Sequence, residues 1–587
     1  CLSIVMPDDL NMNQKLENIL NVSLDATEDE LRKADSLSTG YNWRDNTWEI
    51  IVKYSGSLES IRNRYNVYIK ELLNYYAIIV ADKATIELIS QEDVIDYVEK
   101  PKSLYYQIER TKTAACVGSV RADGNILSGK GVIVGVIDTG IDIFDNAFRN
   151  SDGTTRILNI YDQTTGEKYD KQSIDEYIRL NEDLSGGTFS YDNAPGVDNI
   201  MHGTDVSYIA AGSLGVAYEA DIIAVKMGYS INNQFPRTTS LMDAIDYIIR
   251  KAIEYRKPVA VNISYGCNYG AHNGNTLLES FIDDISKSYR CVICVGSGNE
   301  ADKAIHFGGI INTGQVQTAY LSVGEYQSAI DIQIWKNYWD TIDVMLINPR
   351  GEQIGIITEG RINRYETYNT EIITLLGEPS PYNIYQEIYI NLIPKTDYIL
   401  SGIWQIVLMA GSIRAGEYNI WLPSSQALGY ATAFNNPTAD GTITIPATAR
   451  NCIAVGAYNA YTNSYAAFSG RGFDNSIRNV NAGVKPDITA PGVDISIARQ
   501  RGNDITYRNV TGTSYAVPVV TGAAALLMQW GIVMGNDRFM YGEKLKAALI
   551  DGSKPVGLVG ITRNDNQPDP RTGWGAVCLK NTLNKIL

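Results

Sequence analysis

Three short motifs carry the side chains that hydrolysis by an activated hydroxyl requires. Asp138-Thr139-Gly140 follows an apolar run, His202-Gly203-Thr204 opens a helical stretch, and Gly512-Thr513-Ser514 directly precedes another. A hydroxyl becomes a nucleophile when a histidine within hydrogen-bond reach takes its proton and a buried carboxylate orients that histidine. A serine at a helix N-terminus also lies where the backbone dipole favours developing negative charge. The three motifs therefore predict nucleophilic hydrolysis by Asp138, His202 and Ser514.

A fourth motif, Gly298-Asn299-Glu300, ends another apolar run. The side-chain amide of Asn299 can donate a hydrogen bond to the oxyanion of a tetrahedral intermediate, a contact worth about 3 to 4 kcal/mol in a comparable hydrolase. Each motif alone is a common turn at the end of a strand. The four together, in this order, favour an active hydrolase.

The elements that must position these motifs are strands and helices in alternation. Apolar strands are predicted at 132–137, 222–226, 259–263 and 291–295, with helices between them. Such runs are typical of a doubly wound parallel sheet with both faces covered. Sites in these folds collect at the carboxyl ends of the strands. The sheet therefore brings Asp138 and Asn299 to one edge.

Two regions do not follow this α/β pattern. The first hundred residues predict strands at 48–54, 67–72, 76–81 and 94–99 with helices between them, which is a βαββαβ, ferredoxin-like order. Residues 315–440 contain five strong strand patterns separated by Gly, Pro and Asn, and no comparable helical pattern. They predict an all-β insertion with the architecture of a sandwich or jelly roll.

Composition excludes several classes of function. The net charge is −16, so binding to nucleic acid or to an anionic lipid surface is not expected. The longest apolar run, 516–528, contains Pro518, Thr521 and Gly522 and predicts a buried helix rather than a membrane span. Seven scattered cysteines predict no disulfide scaffold, which favours a reducing compartment. Cys291 and Cys294 have CxxC spacing, but they lie in a predicted buried strand, so we expect no metal and no cofactor.

At this point the sequence resembles the subtilisin-like serine proteases, the S8 subtilases. The matching segments are VIVGVIDTGID, HGTDVSYIAAG, VNISYG, GSGNE, KPDITAPG and GTSYAVPVVTGAAALL. The resemblance implies that Asp138, His202 and Ser514 form a catalytic triad and that Asn299 is the oxyanion donor. It also implies that substrate binds by strand addition along two backbone edges, formed by Ser264, Tyr265 and Gly266 and by Gly296, Ser297 and Gly298.

A closer resemblance is to the Csp germination proteases of spore-forming bacteria. It depends on LNVSLDATEDE, YGCNYGAHNGNTLLES and the long insertion between Asn299 and Ser514. It implies a propeptide at 1–107, a catalytic domain at 108–314 and 441–587, and a jelly-roll insertion at 315–440. The implied function is activation of a cortex-lytic zymogen during germination, in the spore or the mother-cell cytoplasm. The implied partners are a protein substrate and the chain's own propeptide, which binds in the active-site cleft.

The chain departs from the subtilase pattern at three positions that remove no catalytic group. Asp205 replaces the second histidine of HGTH, Tyr265 replaces the leucine of SLG, and Tyr515 follows the nucleophile where Met or Phe is usual. The short segment 211–216 lacks the loop that supplies calcium ligands, so we expect no calcium site there. His272 and His306 are interpreted as packing histidines because neither lies in a triad-like motif.

Two other functions stay open from the sequence. A pseudoprotease or regulatory binding protein would keep the fold without cleavage, although the intact motifs argue against it. A secreted general protease would have a signal peptide and a released propeptide; no signal peptide opens the sequence, and its start at Cys1 leaves earlier processing open.

Two further expectations concern the chain's own processing. Self-cleavage is expected between Lys102 and Arg110, most favourably after Gln107, because a short extended tail must leave the last propeptide strand and enter the cleft. The β insertion is expected to hold the propeptide or the catalytic domain in place rather than to take part in catalysis.

Overall fold

The computed structural model describes residues 13–103, 105–106, 127–182, 194–228, 235–358, 360–473, 483–501, 504–557 and 568–587. Its N-terminal unit packs helices against a small antiparallel sheet in the order β5-β2-β4-β3, with β1 beside β5 on the same edge of β2. The helices are α1 Asn18–Asp25, α2 Glu28–Lys33, α3 Asp35–Ser38, α4 Glu59–Tyr65 and α5 Lys83–Ser90. The strands are β1 Tyr41–Asn42, β2 Thr47–Tyr54, β3 Tyr68–Leu72, β4 Tyr76–Ala81 and β5 Ile95–Glu99.

Helix α2 shows how the sequence determines an element locally. Thr27 accepts a hydrogen bond from the backbone of Glu30, and Glu30 bonds back to the backbone of Thr27, which forms a capping box. Helix α1, in contrast, is not among the predicted elements. Its apolar side chains, among them Leu20 and Val22, are fully buried in the core of this unit.

A two-residue strand, β6 Tyr105–Tyr106, links this unit to the α/β unit. The first half of the α/β unit contains the strands β7 Ile133–Asp138, β8 Ile157–Asp162, β9 Glu167–Asp170, β10 Asp221–Lys226, β11 Val259–Ile263, β12 Tyr265–Gly266 and β13 Cys291–Gly296. Its helices are α6 Lys171–Glu182, α7 His202–Ala211, α8 Thr238–Tyr255 and α9 Leu277–Ser288.

The inserted β domain consists of two antiparallel sheets that share one apolar core. One sheet has the order β14-β23-β16-β21-β20-β19 and the other β18-β17-β22-β15-β24. The strands are β14 His306–Ile310, β15 Val316–Val323, β16 Ile330–Asn337, β17 Ile342–Ile347, β18 Gln353–Ile354, β19 Ile362–Glu366, β20 Thr370–Leu376, β21 Tyr385–Pro394, β22 Gly402–Ala410, β23 Glu417–Trp421 and β24 Ala433–Phe434. Because β14 pairs with β23, the predicted boundary at residue 315 falls after the first strand of the domain.

The second half of the α/β unit completes the sheet, whose order is β26-β25-β13-β11-β7-β10-β8-β9, with β27 beside β25. Neighbours from β25 to β8 run parallel, as the apolar strand patterns predict. The strands are β25 Ile453–Asn459, β26 Ser464–Tyr465, β27 Ile488–Pro491, β28 Ile495–Arg501 and β29 Asp504–Val510. The helices are α10 Thr513–Met528, α11 Gly542–Asp551 and α12 Leu579–Ile586.

Two apolar cores lie on opposite faces of this sheet. The core on one face includes side chains of α7 and α10, and the core on the other includes side chains of α8 and α9. Side chains of the N-terminal unit, including Leu72 and Tyr76, belong to the second core. The N-terminal unit therefore packs against α8 and α9, behind the face that carries the predicted catalytic helices.

One helix among the described residues, 513–533, is long and apolar enough to cross a membrane by length and composition. Its most apolar window is 83% buried within the protein, which is the usual position of a core helix. The run from 516 to 528 is thus buried between the sheet and its neighbours.

Candidate active site

Asp138 and His202 form a buried pair at the carboxyl edge of the sheet. Asp138 is the last residue of β7, and its Oδ1 accepts a hydrogen bond from the Thr139 backbone at 2.8 Å. His202 Nδ1 donates to the same oxygen at 2.6 Å, so the proton of the neutral ring lies on Nδ1. His202 Nε2 is buried and has no protein hydrogen-bond partner, which leaves its lone pair available to a proton donor. The pair can therefore act as an oriented general base.

The electrostatics of His202 suit this role. Burial lowers the pKa of His202, but attraction to Asp138 and the hydrogen bond to it outweigh burial, with smaller contributions from Asp198 and Asp205. The pKa of His202 therefore lies above its ordinary value. The carboxylates favour the imidazolium that forms when the histidine takes a proton.

Asp198 fixes the entry to the histidine helix, and the sequence reasoning missed it. Its carboxylate accepts hydrogen bonds from the Thr139 hydroxyl at 2.7 Å, the Met201 backbone at 2.7 Å, and the backbone and hydroxyl of Thr204 at 2.8 Å. An anion is stabilised at a helix N-terminus by the unpaired amides of the first turn. An acidic residue four positions before the predicted helix start was the available signal.

Ser514 lies in the first turn of α10 and is fully buried. The side chain of the next residue, Tyr515, packs with its ring centroid 5.3 Å from that of His202. The start of α10 therefore lies beside the His202 imidazole. The Ser514 carbonyl accepts a hydrogen bond from Ser264 at 3.3 Å, which connects the nucleophile helix to the segment next to β12.

Asn299 lies after β13 and is bonded to the same helix turn. Its Oδ1 accepts from the backbone amide of Thr513 at 3.0 Å and from the Thr513 hydroxyl at 3.1 Å. A backbone amide can only donate, so these bonds fix which end of the Asn299 amide is oxygen. The Nδ2 group is buried and has no protein partner. It is therefore a donor available to a developing oxyanion next to Ser514.

The segment that leaves the N-terminal unit lies along β12. Tyr105–Tyr106 pairs antiparallel with Tyr265–Gly266, with Tyr106 opposite Tyr265. Just before it, Ser103 bridges to Arg237, and the backbone of Lys102 bonds to Thr238 at both its amide and its carbonyl. The chain thus enters the candidate site as an added strand at one of the two predicted edges.

The second predicted edge differs from this arrangement. The amide of Ser297 donates to Val455 at 2.9 Å, and its carbonyl accepts from Thr444 at 3.0 Å. The Gly298 carbonyl accepts from Gly470 at 2.8 Å. These backbone groups are bonded within the α/β unit, so strand addition there would have to displace existing bonds. Gly296, Ser297 and Gly298 therefore lie next to Asn299 without forming an open edge.

Gln107, the residue predicted to precede the self-cleavage site, lies outside the described residues.

His272 and His306 are buried, and both stack on Trp421. The His272 ring stacks on Trp421 at 4.1 Å and the His306 ring at 4.9 Å. His272 Nδ1 lies 2.6 Å from the Ile443 carbonyl. Burial lowers the pKa of both histidines to about 4, so each is neutral at pH 7. Their environment is that of packing residues.

A doubly wound sheet with this aspartate, histidine, serine and asparagine at its edge defines a subtilisin-like serine protease, and the chain belongs to the subtilase family, whose model matches residues 129–379 and 415–575. Residues 14–102 match the model of the Csp protease B prodomain. The solved structure of the CspB protease of Clostridium perfringens is similar to this chain, with 34% identity, a TM-score of 0.72, and coverage of 80% of this chain and 96% of that one. The predicted resemblances to the S8 subtilases and to the Csp proteases are both confirmed.

Curated relatives match a shorter stretch. The subtilase-type proteinase RRT12 of Saccharomyces cerevisiae is 33% identical over 128 residues, which is 21% of this chain and 23% of that protein. Subtilisin-like protease 10 of Arthroderma otae is 34% identical over 120 residues, 20% of this chain and 27% of that protein. The match thus spans about a quarter of each of these relatives.

We predict that chelators leave the protein unchanged. The turn after α7 closes back on the helix, because the amides of Gly212 and Val216 donate to Tyr208 and Ile209 at 2.9 and 3.0 Å. Within the described ranges, no cluster of three His, Cys, Asp or Glu side chains is arranged to hold a metal. The melting temperature and the rate of self-cleavage should be equal with EDTA and with added calcium. A fall of more than a few degrees in EDTA would contradict the prediction.

Proposed function

We propose that this serine protease cleaves its own propeptide and then activates a protein zymogen by limited proteolysis during spore germination. In the proposed reaction, Ser514 Oγ attacks the carbonyl carbon of the scissile bond while His202 Nε2 takes its proton. Asp138 holds the imidazolium, and Asn299 Nδ2 donates to the oxyanion. His202 then gives the proton to the leaving amine, and a water molecule deprotonated by His202 hydrolyses the Ser514 acyl-enzyme, which releases the acid product and restores the hydroxyl. The observation that carries self-cleavage is the antiparallel pairing of Tyr105–Tyr106 with Tyr265–Gly266.

The site of self-cleavage should lie between Lys102 and Arg110, with Gln107 as the favoured residue before the cut. Strand addition holds Tyr105–Tyr106 in an extended conformation at the β12 edge, so the scissile bond follows within a few residues. N-terminal sequencing of the larger product locates the cut. A first residue beyond Ala115 would contradict this position. Replacement of Tyr106 by proline, which removes a backbone amide from the added strand, should slow the cut, with Lys130→Pro as a control outside the strand.

We propose that the propeptide remains bound after cleavage, since both other units contact it. With the α/β unit, Arg237 pairs with Glu49 at 2.9 Å, and Asp246 accepts from the Leu73 backbone at 2.9 Å. With the β domain, Arg364 pairs with Asp25 at 2.8 Å and with Glu30 at 3.1 Å. The propeptide core also includes the buried β-domain side chains Ile373, Leu375, Tyr389 and Ile393.

These contacts suggest that the β domain clamps the propeptide. Its two antiparallel sheets support assignment as a jelly roll, and the β5-β2-β4-β3 order supports a ferredoxin-like propeptide. Strand β21 alternates between the two cores, with Ile393 facing the propeptide and Leu392 facing the core of the β domain. Substitutions at these two neighbouring positions can therefore distinguish an effect on propeptide docking from an effect on the folding of the β domain.

We predict that Ile393→Ala loosens the propeptide, while Leu392→Ala does not. Each truncation removes a buried side chain and should lower the free energy of unfolding by about 2–5 kcal/mol. Only Ile393 lies at the interface between the β domain and the propeptide. After self-cleavage, the Ile393→Ala protein should release its propeptide faster in size-exclusion chromatography. Added protease should also digest the released propeptide sooner. Equal propeptide retention by the two variants would contradict the clamp.

Activation of a zymogen is tested on the natural mixture of substrates. The self-processed protein and its Ser514→Ala variant are incubated with dormant-spore extract, and new protein N-termini are identified by mass spectrometry. We expect the wild type alone to generate a new N-terminus in a precursor of a cortex-degrading enzyme, together with cortex hydrolysis. Widespread cleavage of many proteins would favour a general protease. Absence of cleavage would favour a regulatory binding protein.

A further inference from the structure

The hairpin formed by β28 and β29 contacts the first turn of the histidine helix through two arginines. Arg499 Nε donates to Asp205 Oδ1 at 3.1 Å, and Arg499 Nη2 donates to the Met201 carbonyl at 2.9 Å. Arg508, on the paired strand, forms a second ion pair with Asp205. The Asp205 side chain has no exposed surface, whereas those of Arg499 and Arg508 are 12% and 40% exposed. The charge of the buried Asp205 carboxylate is therefore compensated by the two arginines of the hairpin.

The Met201 contact is close to the reacting group, since Met201 directly precedes His202. Met201 has a φ of +67°, in the left-handed region that favours glycine. Its amide donates to Asp198 at 2.7 Å, and its carbonyl accepts from Arg499. A strained backbone persists where its surroundings hold it at both ends. Arg499 therefore helps to maintain the conformation from which the His202 side chain projects.

The same arginine pair connects to the nucleophile helix. Burial raises the pKa of Tyr515 and the charge of nearby Arg508 opposes that rise, and Tyr515 packs against the His202 ring at 5.3 Å between centroids. Asp205 and Tyr515 are two of the positions at which the sequence departs from the subtilase pattern. In the structure both departures contact the hairpin, so they belong to a single arrangement.

We propose that Arg499 and Asp205 are positioning residues for the peptidase reaction, which hold the first turn of α7 so that His202 faces Ser514. This inference rests on the proposed function, although neither residue touches substrate or the reacting atoms. The hairpin supplies the cations, and α7 supplies the buried anion. The arrangement thus couples the orientation of the base to the segment that leads directly into the nucleophile motif.

The inference predicts a shift in the protonation of His202. The charged and titratable groups that face His202 are Asp138 on β7, Asp198 before α7, Asp205 on α7, Arg499 and Arg508 on the hairpin, and Tyr515 on α10. The Asp205 charge is one of the contributions that raise the pKa of His202. Its removal leaves two nearby cations unpaired, so the imidazolium becomes less favourable. Loss of Arg499 leaves the negative charge of Asp205 less compensated, so it should raise the pKa of His202.

NMR of histidine-labelled Ser514→Ala protein measures this shift without any need for activity. The chain contains three histidines, and burial lowers the pKa of His272 and His306 to about 4, whereas the pKa of His202 lies above its ordinary value, so its titration is separate from theirs. We expect Asp205→Asn to lower the pKa of His202 by at least about half a unit and Arg499→Gln to raise it. Arg501→Gln is the matched control, because Arg501 pairs with Asp142 instead. An unchanged His202 pKa in Asp205→Asn would overturn the inference.

A second measurement separates geometry from charge. With Ser514 intact, Arg499→Gln should slow self-cleavage at least about tenfold. Arg499→Lys restores the charge but not the fork that reaches both Asp205 and Met201, so it should restore the His202 pKa while cleavage stays slow. A folded Arg499→Gln protein that cleaves at the wild-type rate would refute positioning.

Two further outcomes have their own interpretation: Arg499 variants that do not fold, and a wild type that does not cleave itself. If Arg499 variants do not fold, Asp205→Asn with Ser514 intact should still slow cleavage, because it removes the anion to which Arg499 is bonded; wild-type cleavage in that folded variant would overturn the inference. If the wild type does not cleave itself while the histidine titrations follow the expected pattern, self-cleavage fails as part of the proposed function, whereas the electrostatic coupling of Asp205 and Arg499 to His202 is still supported.

Discussion

Ser514→Ala protein is expected to remain one chain of 587 residues on a denaturing gel, whereas the wild type separates into a propeptide and a larger fragment. The variant lacks the hydroxyl that His202 would deprotonate, and no other step can form the acyl-enzyme. The expected effect is complete loss of self-cleavage on the time scale of expression and purification. Intact mass spectrometry of both proteins measures it.

The matched control is Ser207→Ala, a serine-to-alanine change at another buried helical position, on α7. It should leave self-cleavage intact, and both variants should melt within a few degrees of the wild type. If the Ser514→Ala protein is cut like the wild type, the cut comes from another protease. If both proteins stay whole under folding conditions, self-processing is excluded and the pseudoprotease interpretation gains support.

Much of the candidate site follows from short-range sequence information. Asp138 and Asn299 each follow a buried strand, and Ser514 starts a helix, so the positions of these residues depend only on recognising strand ends and helix starts. The apolar runs that predict the sheet become β7, β10, β11 and β13 within one or two residues at each end. Local pattern and tertiary structure agree at these positions because fully buried parallel strands must be continuously apolar.

The remaining parts depend on long-range contacts that a single sequence does not encode locally. Arg499 reaches Asp205 and Met201 across nearly three hundred residues of chain, and nothing in its own segment indicates that partner. Asp198 acts through a loop geometry that becomes visible only when Thr139 is brought beside it. Strand β14 begins the β domain because β23 pairs with it. Tertiary pairing, rather than propensity, decides all three cases.

The second large effect is expected at Asn299. The Asn299→Ala protein should cleave itself about 10² to 10³ times more slowly than the wild type. Removal of one oxyanion donor lowers kcat by about this factor in a comparable hydrolase. The Nδ2 group is buried without a protein partner, while Thr513 fixes the opposite end of the amide. The group therefore enters the reaction already oriented, with no ordering cost at the transition state.

Single-turnover cleavage after refolding measures this rate, with Thr513→Val as the control. That change removes the hydroxyl bond to Asn299 Oδ1 but keeps the backbone bond at 3.0 Å, so the amide stays oriented and cleavage should slow much less. Asn299→Asp should be as slow as Asn299→Ala or slower, since a carboxylate offers no donor and repels the oxyanion. A folded Asn299→Ala protein that cleaves within tenfold of the wild-type rate would exclude Asn299 as the oxyanion donor, and the stabilisation would then have to come from the α10 N-terminus.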